Sequence, residues 1–284
     1  MLPIPLRQFY LDCCAKTSGW FPVEPKGEPI SPGDFGPVKN GSVAPLGNLF
    51  QMKMVDDIEI TDPPISFGRP DWRLSSGVRA SQETAQFDEG GEVGLWRSQH
   101  LRFREPGSYL LCGINPRAAF IANWSRIQDE VTLKLTISKY SFRQVWVVTD
   151  VLYFDRWGLA VAESDQAELD LSVRYEGVDT GFDHLSMLSH QASQMRRSQG
   201  LSVLERGSDE RSLFFKAKKL VLTQRVRDRL LGDMMREAAD GFNRISAWMK
   251  SDLTSRLDYS AVNPNSCLET FTWTDATIDD LIKT

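Results

Sequence analysis

The sequence predicts an α+β fold with a twisted, mostly antiparallel sheet, long β-hairpins and flanking helices. Apolar residues alternate with a period of two through most of residues 71–222, which is typical of strands. After residue 223 they recur every three to four positions, as on one side of a helix. The first 70 residues are rich in proline and glycine, which favours short strands and turns. The composition, 41% hydrophobic and 25% charged over 284 residues, is that of a globular protein.

The N-terminal region contains one predicted helix, from about Leu6 to Lys16. Asp34-Phe35-Gly36 spells the metal-binding triplet of kinases, but no nucleotide loop precedes it and no HRD motif follows. Proline and glycine flank the triplet, so we predict a tight turn there.

A first long hairpin is predicted between about Asp71 and Arg104. Residues 82–91 (QETAQFDEGG) form its polar connection, and the apolar residues of each strand share one face. These apolar residues are Trp72, Leu74, Val78 and Ala80 in the first strand and Val93, Leu95, Leu101 and Phe103 in the second. Arg97 and Gln99 lie in phase with the second set, which places two polar side chains on the apolar face.

Two further secondary-structure elements are predicted in the middle of the chain. Residues 131–137 alternate like a strand, but a helix from Ile127 to Leu135 fits them as well. QVWVVTDVLY (residues 144–153) is apolar on both alternating faces, which indicates a strand buried on both sides. Asp150 is its single charge.

A second hairpin is predicted over about Trp157–Gly207. Its first strand keeps apolar residues at odd positions for about 17 residues, well beyond the usual strand length of about 5–6. These are Trp157, Leu159, Val161, Ala167, Leu169, Leu171 and Val173. Glu163 and Asp165 interrupt this face. Residues 175–186 are predicted as a loop, and Leu213–Leu222 as a further strand.

The C-terminal part changes period. An amphipathic helix is predicted from about Thr223 to Lys250. The remainder is interpreted as a loop-like tail, with Thr274 or Asp275 capping a short final helix.

Charge is divided along the chain. The net charge of −5 gives no case for nucleic-acid binding. Residues 196–229 nevertheless carry ten basic and four acidic residues, a net of +6, whereas residues 230–284 carry a net of −4. Basic residues near an anionic leaflet contribute about 1 kcal/mol each. The candidates for binding acidic lipids are Arg196, Arg197, Lys216, Lys218, Lys219 and Arg225. A solvated basic face is the alternative interpretation.

The motifs of enzymes and metal sites are missing from the sequence. No HExxH or G-x-S-x-G occurs, and the three histidines stand apart. The four cysteines include no CxxC pair, so neither a disulfide framework nor zinc is expected, and no cofactor is predicted. Cys13 and Cys14 are adjacent, which fits either buried thiols or a pair of acylation sites. The start lacks the pattern of a signal peptide, and no transmembrane helix is predicted.

The order of these elements resembles the pore-forming domain of gasdermins. The residues that carry the resemblance are Val147–Tyr153, with Asp150 in place of the family's usual Glu, and the strand Leu213–Leu222. The segment between them, about Trp157–Gly207, matches the second membrane-inserting hairpin of that family. About Asp71–Arg104 lies where the first one would be. The length of the chain is closest to that of the compact fungal and bacterial members.

The resemblance implies a gasdermin N-terminal-domain-like fold over residues 1–245 and a short C-terminal tail, residues 246–284, as a candidate autoinhibitory segment. It implies a cell-death effector that stays in the cytoplasm until activated by proteolysis of the tail. The activated protein would oligomerise on acidic lipids and insert its hairpins into the cell membrane as a closed barrel, with itself or a related second subunit as partner. The membrane-inserting candidates are Trp72, Leu74, Val78, Val93, Leu95, Leu101, Phe103, Leu159, Val161, Leu169, Leu171 and Val173.

Two alternatives stay open from the sequence. One is a non-enzymatic α+β protein-interaction or immunity module whose long hairpin binds a protein partner. The other is an enzyme of another family that uses His184 or His190.

Overall fold

A computed structural model gives an α+β fold of mostly antiparallel sheets with a few helices. It describes residues 2–62, 71–89, 92–138, 140, 145–176, 188–190, 193–239 and 264–282. Everything said below about the structure concerns these residues. The predicted α+β class is confirmed at this level.

The central sheet has eight strands, of which β12 (Trp146–Phe154) and β17 (Arg211–Leu222) are the longest pair. The other six are short: β1 (Phe21–Pro22), β2 (Asp34–Gly36), β5 (Gly47–Asn48), β6 (Ile60–Thr61), β11 (Arg117–Ile121) and β18 (Phe271–Asp275). β17 also pairs with β1 and β18, whereas β12 also pairs with β2 and β11. A separate two-stranded ribbon joins β3 (Val38–Lys39) to β4 (Ser42–Val43).

Strand β12 is buried on both faces, as its sequence predicts. Val147 packs in one cluster of the core, whereas Val148 and Val151 pack in another. Asp150 is half-buried at an irregularity in the β12–β17 register. It lies opposite Lys216, and the Thr149 hydroxyl is 2.5 Å from its Oδ2. The single charge in this strand is therefore accommodated by a local hydroxyl donor and by its position at an irregularity of the strand pairing.

A second sheet, here called the root sheet, packs against the body of the molecule. Its order is β16-β13-β10-β7, with β7 (Asp71–Ser76), β10 (Tyr109–Ile114), β13 (Arg156–Ala162) and β16 (Leu201–Gly207). The face with Leu111, Leu159 and Val161 packs on the core that includes the N-terminal helix. The opposite face, with Leu110 and Ala160, packs on a third sheet.

That third sheet, here called the hairpin sheet, has the order β15-β14-β9-β8. Its strands are β8 (Val78–Glu89), β9 (Glu92–Phe103), β14 (Glu168–Glu176) and β15 (Gln194–Gln199). β8 and β9 form one hairpin with an unbroken register from Val78↔Phe103 to Glu89↔Glu92. β9 pairs with β14, so the two predicted hairpins lie side by side in one sheet.

Five helices complete the described fold: α1 (Ile4–Lys16), α2 (Trp124–Ile137), α3 (Gln224–Ala239), α4 (Pro264–Thr270) and α5 (Ile278–Ile282). The predicted N-terminal helix is confirmed as α1, and the helical alternative for residues 127–135 as α2. α3 confirms the start of the predicted long helix, whereas residues 240–250 of that prediction lie outside the described part.

Several local predictions are wrong. Asp34–Gly36 is not a turn but β2, because its backbone pairs with β12 and β5. Gln82–Glu89 is not a loop but part of β8, in which Gln82, Glu83 and Thr84 are exposed. The predicted strand over about 17 residues is two strands, β13 and β14, separated by residues 163–167.

The described part of the C-terminal tail, residues 264–282, is not loop-like. Residues 271–275 form β18, which pairs with Lys218–Leu222 of the central sheet. The final helix α5 is capped by Thr277, not by Thr274 or Asp275, which lie in β18. Thr277 donates its backbone N–H to Asp280 Oδ2 at 2.9 Å, the second half of a capping box.

Candidate functional site

The root sheet and the hairpin sheet are built from the same four chain paths. Their strand orders correspond one to one, because β7 continues into β8, β10 follows β9, β13 continues into β14, and β16 follows β15. The four breaks are Gly77, residues 104–108, residues 163–167 and Gly200. They lie next to one another across the sheet and are here called the fold line. The hairpin sheet is thus the continuation of the root sheet, bent back over it.

Backbone hydrogen bonds tie the fold line together. Arg104 N–H donates to Gly77 O at 2.9 Å, and Glu163 N–H donates to Gly200 O at 2.8 Å. Between these, Ala162 N–H donates to Ser108 O at 2.8 Å. Gly77 and Gly200 have φ values of +66° and +65°, in the left-handed region that favours glycine. Both glycines lie on edge strands, where a single residue makes the whole bend.

One face of the hairpin sheet, here called the inner face, packs on the root sheet. Leu101, Leu169 and Val173 are fully buried in the shared cluster. In this cluster they meet Leu110, Cys112, Ala160 and Ala162 of the root sheet. Arg97 is the one charged residue in register on this face among positions whose side chains are described. Burial of apolar surface contributes about 25 cal/mol per Å² removed from water, so this packing stabilises the contact between the hairpin sheet and the root sheet.

The opposite, outer face is polar and charged. Cross-strand rows run over it in register, such as Arg79, Arg102 and Glu168 in one row. The next row brings His100 against Asp170, with Arg197 on the far strand. Arg102 Nε lies 3.1 Å from Glu168 Oε1 and 2.9 Å from His100 Nε2. The two faces of one sheet therefore differ sharply in polarity.

Two buried polar side chains mark the middle of the sheet. Gln99 is 1% exposed on the inner face, and neither its Oε1 nor its Nε2 has a hydrogen-bond partner. Ser172 Oγ, on the outer side of β14, is likewise buried without a partner. An unsatisfied buried polar group costs about 1–3 kcal/mol. The centre of the hairpin sheet is therefore less stable in this arrangement than its apolar packing alone implies.

The described residues of the connection between β14 and β15, Leu188–His190 and Ser193, lie at the far end of the root sheet from the fold line. Leu188 is 1% exposed and packs over Gly158, where a Cβ would lie 2.5 Å from Leu188 Cγ. Arg206 Nη1 donates to Ser193 O at 2.7 Å and to Ser193 Oγ at 3.0 Å. A cavity of about 330 Å³ lies beside these contacts and is lined by His190, Trp157, Arg206 and Asp209 among others. Burial, and then the charge of Arg156, lower the pKa of His190.

The predicted membrane-inserting residues fall into two sets. Val78, Leu101, Phe103, Leu169, Leu171 and Val173 pack between the hairpin and root sheets, and Leu95 is half-buried on the same face. Trp72, Leu74, Leu159 and Val161 instead pack on the opposite side of the root sheet, in the core with α1. Val93 pairs with Asp88, and its side chain lies outside the described part. Glu163 and Asp165, which interrupt the predicted apolar face, lie exposed in the fold line.

The predicted lipid-binding residues are spread over three places. Arg196 and Arg197 lie exposed on β15, with Arg196 over the Trp96 ring at 5.5 Å. Lys216, Lys218 and Lys219 lie on β17, and Arg225 is exposed at the start of α3. All three lysines have partners, since Lys216 lies 4.9 Å from the Trp20 ring centroid, Lys218 2.6 Å from Asp275 and Lys219 2.6 Å from Asp280.

The adjacent cysteines differ in their surroundings. Cys13 is fully buried, and burial raises the pKa of its thiol. Cys14 is half-buried, and burial raises its pKa as well. Both thiols are therefore poor nucleophiles in this conformation, and acylation of Cys13 would require α1 to move.

Within the described ranges, no group of three or more His, Cys, Asp or Glu residues is placed to hold a metal ion. Nor does any described helix have the length and apolar character needed to cross a membrane. His184 lies outside the described part.

The chain matches no known protein-family model and no curated protein in sequence. Among solved structures it is similar to a bacterial gasdermin from Bradyrhizobium tropiciagri, at 13% identity and a TM-score of 0.29. The match covers 75% of this chain and 86% of that one. This is a weak likeness in overall fold, too low for any conclusion about function.

The fold line is the feature that sequence analysis missed. Its signals are isolated glycines inside strand patterns, Gly77 and Gly200, which commonly mark a bend or bulge. The polar run Glu163–Gln166 is the corresponding signal in the second hairpin.

Proposed function

We propose that this chain is a membrane pore-forming effector of the gasdermin type. The observation that carries the proposal is the two-sided hairpin sheet, which has a nearly uncharged inner face and a charged outer face. A membrane β-barrel requires this division, with apolar side chains toward lipid and polar ones toward a water-filled lumen. In the isolated chain the root sheet covers the inner face of β9 and β14, whereas Ala80, Gln82 and Thr84 on the β8 part of this face are exposed.

The strands have the length that the proposal requires. A tilted membrane strand takes about 9–11 residues, and β8 and β9 have 12 each, whereas β14 has 9. Four strands cannot close a barrel, and open sheet edges are not stable in lipid. Many copies side by side, each contributing one hairpin sheet, satisfy both conditions. The edges available for this pairing are β8 and β15.

The C-terminal segment is proposed to restrain activation. β18 and α5 place Asp275 and Asp280 against Lys218 and Lys219, two of the candidates for binding acidic lipids. Displacing residues 246–284 would free these lysines and expose one edge of β17. Under this proposal residues 1–245 act as the pore-forming part, cytoplasmic until a protease releases the tail.

Dye release from liposomes tests the proposal. A site for a specific protease is inserted after Ile245, and cut and uncut protein are added to vesicles with and without phosphatidylserine. We expect the cut protein to release dye from the acidic vesicles at a concentration at least tenfold lower than the uncut protein. Neutral vesicles should leak far less. No release from acidic vesicles after cleavage, together with stable binding to a protein partner, would favour an interaction module instead.

A further inference from the structure

We infer that Leu188–His190 and Ser193 form a latch that keeps the hairpin sheet folded back on the root sheet. The inference rests on the proposed function, because unlatching matters only if the hairpin sheet leaves the root sheet. Its contacts are those of Leu188 over Gly158 and of Ser193 with Arg206. The latch lies at the far end of the root sheet from the fold line.

The fold line supplies the pivot. All four chain paths bend at the same level, so the hairpin sheet can swing as one unit without breaking the pairing of β8, β9, β14 and β15. The swing requires Gly77 and Gly200 to leave the left-handed region and adopt the extended conformation of a strand. The continuous path 71–89 would then have about 19 residues in line, or roughly 60 Å at about 3.3 Å per residue.

Leu188 belongs to the same apolar cluster as the inner face, and the latch adds to that packing a close backbone contact at Gly158 and hydrogen bonds to Arg206. Gly158 lets the backbone of the latch approach closely, since a Cβ there would lie 2.8 Å from Leu188 O and 2.9 Å from Leu188 C. Arg206, near the end of β16, donates hydrogen bonds to both oxygens of Ser193. The latch belongs to the connection between β14 and β15, so its release frees the outer end of the second hairpin.

A pair of alanine substitutions in the root sheet tests the latch. Gly158→Ala places a methyl group against the latch, whereas Gly113→Ala, on the adjacent strand β10, places one against Phe154 in the body of the molecule at 2.2 Å. Both overpack a core and should lower the melting temperature. Only Gly158→Ala should weaken the contact between the latch and the root sheet, and with it the packing of the hairpin sheet.

Two readouts separate the latch from the proposed function. In native-state hydrogen exchange, we expect the amides of Glu168–Val173 to exchange at least tenfold faster in Gly158→Ala than in Gly113→Ala, relative to the amides of β12. In the liposome assay, Gly158→Ala should release dye at a concentration several-fold lower. Equal exchange in the two variants would overturn the latch. Faster exchange in Gly158→Ala without dye release from any form of the protein would confirm the latch and contradict the pore.

Discussion

The central sheet and the hairpin sheet are both antiparallel, yet they are held in different ways. Strand β12 is buried on both faces by side chains from distant parts of the chain. The hairpin sheet is covered mainly on one face, and by the continuation of its own strands. A sheet of the first kind leaves its place only when the domain unfolds. A sheet of the second kind can separate by bending at the fold line, which is what a membrane-inserting element requires.

The largest effect is expected in the central sheet. Phe214 is fully buried in the core, so Phe214→Ala should lower the free energy of unfolding by about 3–5 kcal/mol. Val151 of β12 and Val173 of the inner face are both fully buried, so Val151→Ala and Val173→Ala remove the same atoms. Val173→Ala should cost less global stability and should accelerate local exchange in the hairpin sheet. Denaturant unfolding and hydrogen exchange measure the two effects. Equal losses of global stability, without faster local exchange in Val173→Ala, would show that the two sheets are held with the same strength.

The next test introduces an arginine on either face of β8 and compares the two faces of the hairpin sheet. Ala80 faces inward and Ala85 outward, and both are exposed in this conformation. An arginine on the lipid side of a barrel costs about 2–4 kcal/mol at the midplane. Ala80→Arg should therefore abolish dye release, whereas Ala85→Arg should retain it, with both variants folding normally by circular dichroism. Retained release by Ala80→Arg would show that the inner face does not meet lipid.

The fold line gives a third test, at Gly200. A residue with a Cβ is strained at φ +65°, by about 1–3 kcal/mol, and asparagine tolerates this region better than a β-branched residue. Gly200→Val should therefore favour the straightened strand and leak at a lower concentration than Gly200→Asn. Both add a side chain near Ser164 Oγ, so asparagine is the matched control for crowding. Identical leakage would place the bend elsewhere.

The latch predicts a pH dependence through His190. Burial and Arg156 lower the pKa of His190 in the folded-back state, so the open state binds the proton more readily. Stability of the latch is fully present above the ordinary histidine pKa of about 6.5 and is lost as the pH falls below it. Arg206 and Asp209, which carry opposite charges, line the same cavity as His190. The protection factors of the β15 amides, in which the slower intrinsic exchange at lower pH is divided out, should fall between pH 7.5 and 5.5, and His190→Gln should remove this fall.

The smallest effect is expected for the ion pair between Lys219 and Asp280. Both side chains are about one-quarter exposed, so the pair contributes at most about 1 kcal/mol. Asp280→Asn should loosen β18 and α5 slightly and shift dye release by less than tenfold. No shift at all, or a shift of tenfold or more, would contradict this role of the ion pair.

The sequence predicts which faces of a strand are buried better than it predicts where the strand bends. β12 is found because its apolar residues occupy both faces, a pattern typical of a buried strand. The break between β13 and β14 is hidden, because apolar residues stay at odd positions through residues 157–173. Alternation records which side of a strand a residue occupies, not which sheet the strand belongs to. Leu159 and Leu169 therefore look alike in sequence, yet they pack in different cores.

In the proposed pore the inner face of the hairpin sheet contacts lipid, and a fluorescent label on β8 tests this most directly. In a Cys14→Ser background, Ala80→Cys and Ala85→Cys are labelled with an environment-sensitive fluorophore and added to acidic vesicles containing brominated lipids. We predict that the label at position 80 becomes strongly quenched by the lipid bromines, whereas the label at position 85 stays accessible to a water-soluble quencher. Equal quenching at both positions, or no lipid quenching at position 80 in vesicles that leak, would contradict the claim.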